Sequence, residues 1–210
     1  MTREPDTGLD PASRAELLRR ADLLQGEAAE VIADLDLPAL LGQIGYVEHL
    51  GSSVSGLMVW RDIDFAVRCR DLTPGRAWDA LRPFLAQPRL MRLNYWNEAE
   101  ERSLTAQAGD ERYYFVCYYE TEAGDEWKID LSLWLSDAPR PHLGHLDDLR
   151  RRLTDETRLA ILWIKDVWHR LPTYPDEVSG VDVYDAVLEH GVRTPDEFTV
   201  YLRQRGLPAR

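Results

Sequence analysis

The sequence predicts an α+β fold, a small mixed, mostly antiparallel sheet with flanking helices, followed by a C-terminal helical region. Three observations lead there. Leu and Ala recur at helical spacing from residue 12 to 35, five strand-like runs lie between residues 44 and 135, and beyond residue 141 the segments are helical and bounded by caps. The chain has 210 residues, is 44% hydrophobic and 30% charged, and contains seven Trp and nine Tyr, so it can bury enough apolar surface to offset the entropy of ordering.

The elements follow in order. Residues 1 to 11, with Pro5, Gly8 and Pro11, read as a loose leader. The first helix presents Leu17, Leu18, Ala21, Leu24, Ala28, Val31 and Ile32, with Asp10 or Ser13 available as its N-cap. A short helical turn after Pro38 leads into a strand from Ile44 to Leu50 that ends at Gly51, and Asp62 to Val67 forms a second strand. Thr73-Pro74 supplies an N-cap and a first helical residue for a helix through Trp78, Leu81 and Leu85 that stops near Pro88. Strands are expected from Leu90 to Trp96, Arg112 to Tyr119 and Trp127 to Leu135, the last two joined by a turn at Glu122-Ala123-Gly124-Asp125. Ala138-Pro139-Arg140-Pro141 breaks the pattern, which divides the chain into residues 1–140, carrying the sheet, and 141–210, carrying helices. In the second part Thr154 caps a helix ending before Pro172, a helix follows at 181–190, and Thr194-Pro195-Asp196-Glu197 is a capping box opening a helix that stops at Gly206.

Several functions are excluded or disfavoured by composition. No run of about 18 apolar residues exists, and Met-Thr-Arg-Glu-Pro-Asp at the start lacks an apolar signal core, so a cytoplasmic protein with no membrane association is expected. Cys69 and Cys117 lie far apart in apolar strand-like runs, which fits reduced buried thiols rather than a disulfide framework or a zinc site. A net charge of −12 opposes binding a long polyanion, which makes nucleic acid an unexpected partner and favours a small molecule or a protein. Of the 25 basic residues only Lys128 and Lys165 are lysines. Oligomeric state is not encoded in any of these features.

The chemistry concentrates in Leu50-Gly51-Ser52-Ser53-Val54-Ser55-Gly56-Leu57 and Asp62-Ile63-Asp64-Phe65. Strand alternation points Asp62 and Asp64 the same way while Ile63 and Phe65 turn to the core. Two carboxylates that close repel unless they share a cation, and an oxygen-only ligand set suits magnesium. A third carboxylate is expected from a neighbouring strand, and Asp130 in Lys128-Ile129-Asp130-Leu131 is flanked by apolar residues as an inward ligand would be; Asp125 and Glu126 in the adjoining turn are its rivals. Gly51-Ser52, between a strand and a turn, offers backbone N–H groups and a hydroxyl to phosphate oxygens, and Gly56 permits a tight turn.

Gly-Ser, nine intervening residues, Asp-hydrophobic-Asp-hydrophobic and a later hydrophobic-Asp-hydrophobic strand resemble the nucleotidyltransferase superfamily, which includes polymerase-beta-like enzymes and antibiotic adenylyltransferases. The likeness covers about residues 44 to 135. It departs from many relatives at Ser53-Val54-Ser55, where they carry Arg or Tyr, and at Arg61, where they carry Ser or Thr. The resemblance implies that Asp62 and Asp64 contact two metal ions, magnesium with manganese as an alternative. It also implies that Asp130 contacts the catalytic ion and that Ser52 meets the β and γ phosphates. Lys165 and Arg158, on the helix after Thr154, are the implied triphosphate ligands by the same likeness; a solvated basic stripe with His169 is the plain alternative. The implied activity is transfer of a nucleoside monophosphate from a triphosphate, ATP being expected, to a hydroxyl or phosphate of a small molecule or protein with release of pyrophosphate. A non-catalytic nucleotide-binding or antitoxin-like regulatory module on the same fold is the alternative.

Overall fold

In a computed structural model, residues 8–103, 109–139 and 145–210 are described. The expected leader falls largely on residues 1–7 and the expected boundary on residues 140–141, both outside the described part. By internal contacts the chain forms two compact units, one of residues 1–24, 55–59 and 147–210 and one of residues 25–54 and 60–146. Helix α1 (Pro11–Asp34) runs through the break at residue 24. Its N-cap is Asp10, whose carboxylate accepts from the backbone N–H of Ala12 at 2.9 Å and Ser13 at 3.1 Å.

The second unit holds α2 (Leu37–Gly42), β1 (Tyr46–Leu50), β2 (Asp62–Arg68), α4 (Pro74–Leu85), β3 (Leu90–Glu98), β4 (Arg112–Glu120) and β5 (Glu126–Trp134); the one-turn α3 (Ser52–Ser55) follows β1. The strands form a single sheet in the order β1-β2-β5-β4-β3. Pairing is antiparallel except between β2 and β5, which are parallel with Asp62 opposite Lys128 and Asp64 opposite Asp130. One sheet face is apolar: Ile63, Phe65 and Val67 of β2, Trp127, Ile129, Leu131 and Leu133 of β5, and Phe115 and Cys117 of β4 are all buried. Helix α4 contributes Ala77, Leu81 and Phe84 to the buried set, and Thr73 caps it by accepting from the backbone N–H of Arg76. The opposite face carries the polar residues of the same strands, which follows from the two-residue period.

The first unit contains α5 (His145–Arg152), α6 (Asp155–Trp168), α7 (Gly180–His190) and α8 (Pro195–Gln204). Its core holds Ile161, Leu162, Trp168, Val183, Ala186, Phe198 and Leu202, with Trp168 and Phe198 in an edge-to-face pair at 5.1 Å. Reciprocal caps at Thr154 and Thr194 begin α6 and α8 where the sequence places them. Sequence reasoning missed α5, whose His-Leu-Asp-Asp-Leu-Arg-Arg-Arg is too polar to show an apolar period, and it ran α6 three residues too far. Among the described residues no helix is long and apolar enough to cross a membrane.

Both cysteines are free and buried. Burial pushes the thiol of Cys69 up to about 11 and that of Cys117 up to about 12. The unfolded chain therefore releases these protons at lower pH than the folded one, so the thiol contribution to stability is complete below the ordinary thiol range and is lost as pH rises toward the folded values. Urea denaturation should show a free energy of unfolding that falls between about pH 8 and pH 10.5, and a Cys69→Ala/Cys117→Ala chain should show a shallower fall. Identical pH slopes for the two chains would contradict this.

Candidate active site

Asp62 and Asp64 point to the polar face of β2, and the in-register parallel pairing with β5 sets Asp130 directly beside Asp64. One carboxylate oxygen from each of Asp62, Asp64 and Asp130 lies within 4.8 Å of the others. Asp62 is only 9% exposed, and Asp64 and Asp130 are half-buried. Burial, with the neighbouring Asp130 carboxylate adding to it, holds Asp62 above the ordinary carboxylate range despite the opposing ammonium of Lys128. The rivals for the third position are placed otherwise. Asp125 pairs with Arg61 at 3.2 Å, and Glu126 opens β5 opposite Glu120.

Asp130 is held from one side. Its Oδ2 accepts from the Tyr114 hydroxyl at 2.8 Å and from Lys128 Nζ at 2.7 Å, while its Oδ1 is buried with no hydrogen-bond partner among the described residues. A buried anionic oxygen without a partner is costly, and a cation seated among the three carboxylates would satisfy it. With only oxygen donors the set fits a hard divalent ion. Burial first, then the Asp130 charge, keep the Tyr114 phenol protonated well above its usual range, so it acts as a donor.

Lys128 is a site residue that sequence reasoning passed over. Its ammonium lies 3.2 Å from Asp62 and 2.7 Å from Asp130, and its side chain is 33% exposed. Burial works against the ammonium, but the two carboxylates outweigh it and lift Lys128 above the usual lysine range. The signal available in the sequence was the two-residue spacing of Lys128 and Asp130, which puts both on one face of a strand.

The loop after β1 brings Gly51 against the cluster. Gly51 has φ +74°, and a Cβ there would lie 2.0 Å from Asp64 Oδ2. Ser52 is buried at 8% exposure. Next to it, Ser53 Oγ meets His49 Nε2 at 2.8 Å, and the His49 ring stacks on Phe65 at 4.7 Å. Burial lowers the His49 pKa, so this anchor is a neutral imidazole. Arg61, adjacent to Asp62, is engaged by Glu27 at 3.0 Å and by Asp125. Those two acids line a cavity of about 510 Å³ whose walls include none of the three clustered aspartates.

Lys165 and Arg158 belong to the first unit, and the basic stripe expected on α6 is not a solvated face. Lys165 is 2% exposed and donates to the Leu57 carbonyl at 2.7 Å and to the Tyr184 hydroxyl at 3.4 Å. Arg158 donates to the Gly56 carbonyl at 3.3 Å and pairs with Asp22 at 2.5 Å. Helical spacing places residues on a face but says nothing of which backbone carbonyls that face will meet.

No protein-family model and no curated protein matches the chain. Solved structures do. A cytoplasmic RNA terminal U-transferase superposes with TM-score 0.52 at 16% identity over 84% of this chain and 54% of its own. Cid1, described for its RNA terminal uridylyl transferase activity, superposes with TM-score 0.53 at 16% identity over 84% of this chain and 52% of its own. The chain thus spans about half the length of the structures it matches. The likeness is one of fold, and it is the nucleotidyltransferase fold that the motifs of β2 and β5 resemble. The expectation that nucleic acid is not a partner gains no support from it, since both of these proteins are described as acting on RNA.

The contact between Gly51 and Asp64 yields a direct test. In Gly51→Ala the left-handed backbone costs about 1–2 kcal/mol, and the methyl group must also drive the Asp64 carboxylate out of the cluster. The melting temperature should fall and Mn²⁺ binding, read by electron paramagnetic resonance, should weaken in the same variant. Loss of stability with unchanged Mn²⁺ binding would mean that Asp64 is not needed where it sits.

Proposed function

We propose that the chain is a metal-dependent nucleotidyltransferase that moves a nucleoside monophosphate, with ATP as donor, to a hydroxyl or phosphate oxygen of a small molecule or a macromolecule. The observation that carries this reading is the carboxylate cluster, three oxygens within 4.8 Å, together with a buried oxygen of Asp130 that has no partner among the described residues. The nucleotidyltransferase fold supports it.

In this reaction an acceptor oxygen attacks the α-phosphorus, the bond from that phosphorus to the bridging β-oxygen breaks, and pyrophosphate leaves with the electron pair. A bound divalent cation would supply charge neutralisation for the phosphates and favour the deprotonated acceptor. The chain's own groups do the positioning. Asp62 and Asp64, fixed side by side on β2, hold the donor end. The Gly51-Ser52 turn offers N–H groups and a hydroxyl to the terminal phosphates. Asp130 sits at the acceptor end, where a hydroxylic acceptor's proton passes to it directly or through water. Tyr114 fixes the rotamer of Asp130 by donating to its Oδ2. Most of the rate enhancement then comes from orientation and electrostatics.

Magnesium- or manganese-dependent release of pyrophosphate from nucleoside triphosphates, with and without candidate acceptors, is the primary test. Asp62→Asn and Asp64→Asn should each lower turnover at least ~100-fold while the fold is kept, since a metal ligand is lost without opening a cavity. Asp130→Asn should lower the single-turnover rate far more than it lowers nucleotide affinity, because its part lies in the chemical step. Near-normal turnover in the first two variants would refute the assignment, and binding of metal and nucleotide without turnover in the unaltered chain would identify a regulatory module instead.

A further inference from the structure

We propose that Lys128 is a tethered counter-ion of the carboxylate cluster, which an incoming divalent cation must displace, so that this one side chain sets the metal affinity of the site. Lys128 plays this part only if the cluster holds a metal ion, as proposed above.

The geometry carries the inference. Lys128 Nζ bridges Asp62 Oδ1 at 3.2 Å and Asp130 Oδ2 at 2.7 Å, so the ammonium draws on two of the three carboxylates that would ligate a cation. Asp62 and Lys128 are cross-strand neighbours in the parallel pairing, and Lys128 and Asp130 are two apart on one strand face, so the backbone delivers the ammonium to this point. A divalent ion among oxygens that lie within 4.8 Å of one another would stand close to that ammonium, and like charges at such range oppose each other strongly where water is partly excluded. Retreat is open to the lysine. Its side chain is 33% exposed, and the two aspartates are its only hydrogen-bonding partners in the described structure. A four-carbon stem with rotatable bonds lets the ammonium swing to solvent without moving the strand.

The residue type fits the part. The chain holds 25 basic residues, of which 23 are arginine and two, Lys128 and Lys165, are lysine. A guanidinium at position 128 could grip a carboxylate with two parallel bonds and would be harder to expel, whereas an ammonium is a compact point charge that binds and leaves as one group. Before metal loading, the same ammonium relieves the repulsion among Asp62, Asp64 and Asp130 that would otherwise strain the sheet.

The test uses the full chain, Lys128→Gln and Lys128→Arg, with Mn²⁺ alone as the probe. Mn²⁺ affinity is read by electron paramagnetic resonance or calorimetry without nucleotide, and melting temperature is read with and without the ion. Lys128→Gln should bind Mn²⁺ about 10-fold or more tightly than the unaltered chain, on the scale that groups neighbouring metal ligands usually command. It should also melt lower without metal and recover most of that loss when saturated with Mn²⁺, while Lys128→Arg should bind no tighter than the unaltered chain. Equal or weaker Mn²⁺ binding by a folded Lys128→Gln overturns the counter-ion role, since it would show that Lys128 only positions the carboxylates. If neither chain binds Mn²⁺, and Asp62→Asn changes nothing, the metal site itself is refuted and this role falls with it.

Discussion

Mutual repulsion of three carboxylates on one face of a sheet is the constraint around which the second unit is arranged. Asp62, Asp64 and Asp130 place oxygens within 4.8 Å of one another, where partial burial weakens screening by water. Such a cluster costs stability, and it persists because the backbone under it is fixed from several directions. The parallel register of β2 and β5 seats Asp64 beside Asp130. On the reverse side, Ile63, Phe65, Ile129 and Leu131 are wholly or almost wholly buried, so neither strand can rotate to relieve the charge without exposing its apolar row. Strain at the polar face is held by packing at the other.

Polar anchors finish what packing begins. Tyr114 and Lys128 converge on a single oxygen of Asp130, which orients the carboxylate, and the second oxygen has no match among the described residues. His49 and Ser53 pin the loop between β1 and β2, and stacking of His49 on Phe65 ties that loop to the core. Arg61, next to Asp62 in the chain, is held by Glu27 and Asp125. Each of these groups fixes a neighbour rather than reaching for a ligand itself. The distinction between holding and reacting is therefore drawn at the level of single atoms.

Much of this was legible in the sequence, and the remainder has definite physical reasons for being hidden. The same-face placement of Asp62 and Asp64 follows from the two-residue period alone, and apolar flanks marked Asp130. Thr73, Thr154 and Thr194 marked helix starts because a cap is a local event, decided by three or four consecutive residues. Long-range register is another matter. Nothing local in Lys128 says that its cross-strand neighbour will be Asp62, and the parallel pairing of β2 with β5 depends on which strand ends up between β2 and β4. The surroundings of Lys165 were hidden for the same reason. It donates to the carbonyl of Leu57, more than 100 residues away, and carbonyls leave no trace in side-chain pattern. The α5 helix was missed because polar helices are held by charges and context rather than by a stripe.

The central position of β5 bears on how the chain comes to fold. β4 and β5 are joined by a tight turn and can zip together early, since closing so short a loop costs little entropy. β2 must then add to the free edge of β5 across a long stretch of chain, with 66 residues separating Asp62 from Lys128. A parallel pairing that distant is among the slowest contacts for a chain to make. The carboxylate cluster requires this distant pairing, since Asp130 stands beside Asp62 and Asp64 only when β5 lies against β2. Affinity for a cation, where it arises, belongs to the paired strands and not to either alone, and an ion bound there favours their pairing by mass action.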